Sequence, residues 1–264
     1  MRLAIDVLLD YWIADPCDVL LLVEAAAMPG QHLERHELLV YSPEPLRAIA
    51  GEDGIGQRTW ARGEGLFRVE YSALVAIESV AVDLAALSAT PVRMLPAEAV
   101  PYLLPSRYCE ADHFMGVIEH DFAGLSGGAL AVALSEWVRQ HLSYEAGTSS
   151  GTTTALMTFA DRRGVCRDYA HLLVALARAG GIPARCVSAY APGVDPPDFH
   201  AVAELWLDGA WRLIDATGMA EPGEIARVAV GRDATDIAFM TVFGRAVMNA
   251  QQVSVRRVAP ETGG

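Results

Sequence analysis

The sequence predicts an α+β fold, with a β-rich stretch followed by a block of helices and then a block of strands. Three observations lead there. Apolar residues alternate with polar ones at Leu3, Ile5 and Val7. They recur at helical spacing through Leu130, Leu134, Trp137, Val138 and Leu142. Beyond Gly180-Gly181 the apolar runs are strand-like.

The chain has 264 residues, enough for one large domain or two ordinary ones, and its 52% hydrophobic content is that of a packed protein. A formal net charge of −13 repels phosphate backbones, so nucleic acid is not an expected partner. Apolar stretches such as Val19 to Val23 fall far short of the ~18 residues of a membrane span. The opening Met1-Arg2-Leu3-Ala4-Ile5-Asp6 sets an acid where a leader needs an apolar core. A cytoplasmic protein with no membrane partner is therefore expected. Cys17, Cys109, Cys166 and Cys186 are too few for a disulfide scaffold and form no C-x-x-C pair. No metal and no cofactor are expected.

Residues 1–85 read as a small β-sandwich or barrel, with apolar runs at 19–23, 37–41 and 66–77 parted by turn-rich segments such as Gly51-Glu52-Asp53-Gly54. In 86–126, Pro91, Pro96, Pro101 and Pro105 break the chain into short pieces, the mark of a connector. Residues 127–246 read as a third unit, helices first and strands after. A helix lies over 130–142, and threonines before Ala155 cap a short helix to Asp161. A third helix opens near Cys166, carries Tyr169, Leu172 and Leu176 on its apolar stripe, and ends at Gly180-Gly181. Strands come next at 184–190, 200–207 and 211–214. Residues 247–264 supply a last strand, over 253–258, and a tail.

Cys166 opens its helix, where the dipole and free N–H groups favour negative charge on sulfur and on a developing oxyanion. A cysteine is more often a small buried hydrophobe, the reading given to Cys17, Cys109 and Cys186. Cys166 is set apart by the residues downstream of it. Asp208-Gly209 is a two-residue hairpin turn. Counting outward pairs Trp206 with Trp211, Ala203 with Ile214 and Val202 with Asp215, and sets Thr217 opposite His200. His200 and Asp215 then share a face as diagonal neighbours, provided no bulge intervenes. A base oriented by an acid is what a thiol nucleophile requires.

The run Gly164-Val165-Cys166-Arg167-Asp168-Tyr169-Ala170-His171-Leu172, with Gly181-Ile182-Pro183-Ala184-Arg185, Asp198-Phe199-His200-Ala201 and Trp211-Arg212-Leu213-Ile214-Asp215-Ala216-Thr217, resembles the bacterial transglutaminase-like superfamily. The resemblance implies a papain-like, transglutaminase-type catalytic domain with Cys166 as nucleophile, His200 as base and Asp215 as orienting acid. It also implies an N-terminal β domain. Many relatives carry Trp where Val202 stands, implying a roomier pocket beside the histidine, and Pro where Ala216 stands.

Tyr144 upstream of the nucleophile is assigned packing at least as readily as oxyanion binding. The segment 231–236 lines the cleft or forms a charged turn. His171 packs or caps, and Asp168 suits the helix dipole. Asp195, Asp198 and Asp208 lack calcium-loop spacing, and His32 and His36 lack a third ligand. The expected function is cysteine-dependent acyl transfer on a peptide or protein amide substrate, hydrolysis ahead of cross-linking. A catalytically silent binding module is the alternative, and a redox pair of Cys166 with Cys186 a remoter one.

Overall fold

Alternating apolar side chains carry β1 (Arg2–Leu21) through the protein, with Leu3, Ile5, Val7 and Leu9 buried on one face. The structure, a computed structural model, describes residues 1–78 and 81–259. β2 (Gln31–Val40), β3 (Arg47–Ala50) and β4 (Gln57–Ile77) come next, all antiparallel, with β1 and β4 side by side and β2 and β3 on the far edge of β4. The β-rich domain expected here is thus built on one six-stranded sheet.

Its two central strands run 20 and 21 residues, where the turn signals suggested shorter ones. Those signals are absorbed as a bend. The β1–β4 register slips between Ile13 and Cys17, at Asp15-Pro16, opposite Gly63-Glu64-Gly65. A β-carbon on Gly63 would meet the Ile13 side chain at 2.4 Å, and Gly65 has φ +62°. Glycine lets the two strands turn together without breaking the ladder.

The connector passes through short 3-10 turns, one over Val100–Leu103, into α1 (Met115–Asp121) and α2 (Gly127–His141). Then come β5 (Ser143–Tyr144), α3 (Ala155–Asp161), β6 (Arg163–Gly164) and α4 (Cys166–Ala179). Thr154 caps α3 by accepting from the Met157 N–H, and Gly180-Gly181 ends α4, with Gly181 at φ +76°. β7 (Ala184–Tyr190), β8 (His200–Leu207), β9 (Ala210–Ile214) and β10 (Ala226–Gly231) form a second antiparallel sheet in the order β10-β7-β8-β9. α4 packs on β7 and β8, burying Leu172, Leu173, Val174 and Leu176. The fold is α+β, as the pattern of elements predicts.

The strand β10, a short helix α5 (Ala234–Ile237) and β11 (Met240–Val242) are not anticipated by the sequence reading. β11 pairs with Val19–Leu21, and β12 (Ala246–Val258), longer than expected, pairs along Arg2–Ile13. The end of the chain therefore completes the first sheet. The tail at 260–264 lies outside the described residues.

A buried charge network joins the two sheets. Glu204, 1% exposed, accepts two hydrogen bonds from Arg185 at 2.8 and 2.7 Å and one from Arg227 at 2.6 Å. Arg185 also reaches Asp53 at 2.9 Å and stacks over Trp211. Both arginines lose their shared acceptor in Glu204→Ala, with Arg185 left only Asp53, and removing one partner of a buried pair costs about 3–5 kcal/mol. A fall of that size in unfolding free energy, read from urea titration at unchanged m-value, is expected. A loss below ~1 kcal/mol, as for an exposed pair, would contradict the assignment.

Candidate functional site

The start of α4 is fixed by a side chain. Asp168, fully buried, accepts the Val165 N–H at 2.8 Å and the Ser149 hydroxyl at 2.9 Å. Gly164 is pressed so close that a β-carbon there would meet the Asp168 side chain at 2.6 Å. Asp168 is thus more than a dipole partner, since it clamps the turn that presents Cys166. The signal was there, an acid three residues beyond the helix boundary. Cys166 is half-buried, its Sγ 4.0 Å from the Phe199 carbonyl oxygen.

Parallel pairing of β5 with β6 matches Tyr144 to Gly164, two residues before Cys166. The Tyr144 hydroxyl consequently faces both the backbone N–H and the thiol of Cys166. Burial first, and then the neighbouring Cys166, push the phenol up to about 12, so it stays protonated. The packing role weighed for this residue understates its position. Only the strand pairing, which the sequence does not announce, brings it there.

The β8–β9 hairpin has the expected register, from Leu207↔Ala210 to Ala203↔Ile214, around a turn with Asp208 at φ 51° and Gly209 at φ 72°. The ladder stops there, so Val202 does not pair with Asp215 nor Thr217 with His200. Asp215 instead draws the chain into a turn. Its Oδ1 accepts from the Thr217 N–H at 2.9 Å and hydroxyl at 2.7 Å, and its Oδ2 accepts from the Ala220 N–H at 3.0 Å. The same Oδ2 bonds His200 Nε2 at 2.8 Å. The other ring nitrogen, Nδ1, is buried without a hydrogen-bond partner among the described residues, and it is left to face the Cys166 thiol. The structure thus brings Cys166, His200 and Asp215 together. Val202 is 1% exposed and packs with Val187, Ala189 and Leu213.

Burial opposes charge on His200, but the hydrogen bond to Asp215 and the Cys166 thiol facing Nδ1 outweigh it and raise the imidazole to about 9. Burial likewise opposes ionisation of Asp215, and the bonds from His200 and Thr217 reverse that, holding the carboxyl below its ordinary value.

The segment 231–236 is a cap. Asp233 accepts from the Thr235 and Tyr108 N–H groups, and Arg232 pairs with Asp236. None of its hydrogen bonds reaches the triad residues. His171 caps too, its Nε2 accepting the Ala234 N–H at 3.0 Å while the ring stacks on Tyr108. Burial drives this histidine down to about 3, so it is neutral. Its ring lies beside Cys109 and Cys186, the three donor atoms within 4.8 Å of one another. With Nε2 already accepting, the ring proton sits on Nδ1, and a metal would have to break the Ala234 bond to take either nitrogen. The group reads as core packing.

A model of the transglutaminase-like superfamily matches residues 124–216, a range that holds Cys166, His200 and Asp215. The solved structure of a putative cysteine protease from Cytophaga hutchinsonii is 30% identical, with a TM-score of 0.93 over 100% of this chain and 92% of that one. An uncharacterized protein of Mycobacterium leprae is 35% identical over 115 residues, 40% of this chain. That match spans 41% of the relative's length. The periplasmic domain of TgpA from Pseudomonas aeruginosa aligns at 14% identity and TM-score 0.38 over 83% of this chain and 91% of that domain. No helix among the described residues is long and apolar enough to cross a membrane.

A raised imidazole pKa favours the folded state below the free value near 6.5, and that contribution fades as pH rises through about 9. The lowered carboxyl of Asp215 contributes above 3.8 and is lost as pH falls. NMR titration of the imidazole should place His200 near 9 in the wild type and clearly lower in Asp215→Ala. Equal values in the two proteins would show that Asp215 does not hold the proton.

Proposed function

The chain belongs to the transglutaminase-like superfamily, and from that premise we propose that it is a cysteine-dependent acyl-transfer enzyme acting on amide bonds of a peptide or protein. The observation that carries the reading is His200, bonded to Asp215 at 2.8 Å through Nε2 with Nδ1 turned to a thiol at a helix start. Cys166 Sγ attacks the amide carbonyl carbon and passes its proton to His200 Nδ1. Asp215 keeps the ring oriented and stabilises the imidazolium. The carbonyl oxygen, now an oxyanion, is received by the Cys166 N–H and the Tyr144 hydroxyl, which lie beside each other at the helix start. The C–N bond breaks as the imidazolium protonates the leaving amine, and a thioester on Cys166 remains. Water, deprotonated by His200, then releases the acid; an amine at the same place would give transamidation.

Hydrolysis is the preferred outcome, in keeping with the cysteine-protease description of the Cytophaga hutchinsonii relative. The functional layout we propose is a β-rich 1–85, a connector 86–126, a catalytic unit 127–246 and a terminal 247–264 whose strand, like β11, returns to the β-rich sheet. A reducing cytoplasm would keep the Cys166 thiol available.

The test is incubation of a denatured-protein peptide digest with wild type and Cys166→Ala in the presence of a primary-amine tracer, read by mass spectrometry. New carboxyl termini made by the wild type alone support hydrolysis, and tracer incorporation supports transamidation. Identical products from both proteins would leave a silent binding module as the better account. On any substrate so found, Tyr144→Phe should lower kcat by about a hundredfold with KM little changed, the cost of losing one oxyanion donor. An unchanged kcat would return Tyr144 to packing.

A further inference from the structure

Beside the nucleophile stands an acid without a cation. Asp198 precedes Phe199, whose carbonyl oxygen lies 4.0 Å from Cys166 Sγ. Its Oδ1 accepts the Phe199 N–H at 2.7 Å and Gln251 Nε2 at 2.6 Å, the latter reaching over from β12. Its Oδ2 accepts no hydrogen bond, and no arginine or histidine pairs with it among the described residues. The carboxylate is therefore anchored by one oxygen and open through the other.

The space it faces has a definite chemistry. Asp198, an exposed residue, lines an open cavity of about 180 Å³ that is as polar as it is apolar, with Val194, Pro197, Val253 and Val255 supplying its apolar part. An apolar part beside a fixed carboxylate suits an aliphatic stem bearing a positive charge. The charge of Asp198 is also felt at Tyr144, which faces Cys166, and at Tyr11 on β1, so the acid lies between the reacting centre and the first sheet.

We propose that Asp198 is a specificity residue that binds a primary ammonium on an aliphatic stem of the substrate, as on a lysine side chain, next to the amide attacked by Cys166. This rests on the acyl-transfer reading above. The chain offers such a site nothing of its own, because its 20 Lys and Arg positions are all arginine. The first sheet acquires a role in recognition, since Gln251, Val253 and Val255 all belong to it.

The test needs no known substrate. Cys166 in the full chain is alkylated with 2-bromoethylammonium, iodoacetamide and iodoacetate, and each rate is divided by that of free glutathione. The cationic-to-anionic ratio reads Asp198. In Asp198→Asn, which keeps the Oδ1 acceptor for Phe199 and Gln251, the ratio should fall about three- to tenfold. Asp195→Asn makes the same charge change three residues away and should alter it by less than about twofold, the size of a screened field effect. An unchanged ratio in Asp198→Asn, or equal falls in both variants, overturns the proposal. The iodoacetamide rate reads the triad separately. If Cys166 reacts no faster than glutathione, it is the acyl-transfer reading that fails, and the ratio still reports on Asp198.

Discussion

The carboxylate of Asp215 lies in the interior with the Thr217 N–H and hydroxyl, the Ala220 N–H and His200 Nε2 all directed at it. Removing an ion from water is costly unless its lone pairs are met, and here backbone and hydroxyl donors meet them. The consequence is a fixed negative charge that cannot turn away from the imidazole. His200 is held in one tautomer and one orientation, with Nδ1 toward Cys166. The hairpin that carries both residues is short and sharply turned at Asp208-Gly209, which leaves little freedom for the pair to separate. The pull of that anion is what overcomes the burial of His200.

Around this pair the remaining parts are positioned by backbone pairing and buried polar anchors. Asp168 clamps the turn before α4, and the two-residue pairing of β5 with β6 brings Tyr144 over the Cys166 N–H. The first sheet participates as well. Its last strand reaches Asp198 through Gln251, and its loop acid Asp53 ties into the Arg185–Glu204 network of the second sheet. The two sheets therefore share buried charges that cannot be separated without stranding one of them.

Much of this was legible in the sequence, for physical reasons that differ by element. The helices over α2, α3 and α4 announce themselves through 3.6-residue periodicity and through Thr154 and Gly180-Gly181 at their ends. The hairpin register comes from the φ > 0 demanded at Asp208 and Gly209, and it foretold the approach of His200 to Asp215, although the ladder ends at Ala203 and Ile214, short of the expected Val202–Asp215 and His200–Thr217 pairs. The features that stayed hidden depend on contacts between distant segments. The 196 residues that separate Gln31 from Arg227 leave no local trace of their hydrogen bond. The pairing of β12 with β1 is similarly non-local. Long strands were read as short because only their apolar runs, such as 19–23 and 66–77, stand out when the partner that accommodates Pro16 and Gly63 is unknown. Tyr144 is an ordinary residue in the sequence; only folding sets it beside a thiol.

The account stands on the pairing of Cys166 with His200, and the most direct measurement is the iodoacetamide alkylation rate of each cysteine between about pH 5 and 9, by peptide mass spectrometry, in wild type and His200→Ala, a window in which thiol reactivity tracks the thiolate. The account predicts that Cys166 outpaces Cys17, Cys109 and Cys186 at neutral pH, and that the advantage disappears without His200. Cys166 reacting no faster than the three buried thiols, or equally fast in the variant, would contradict it.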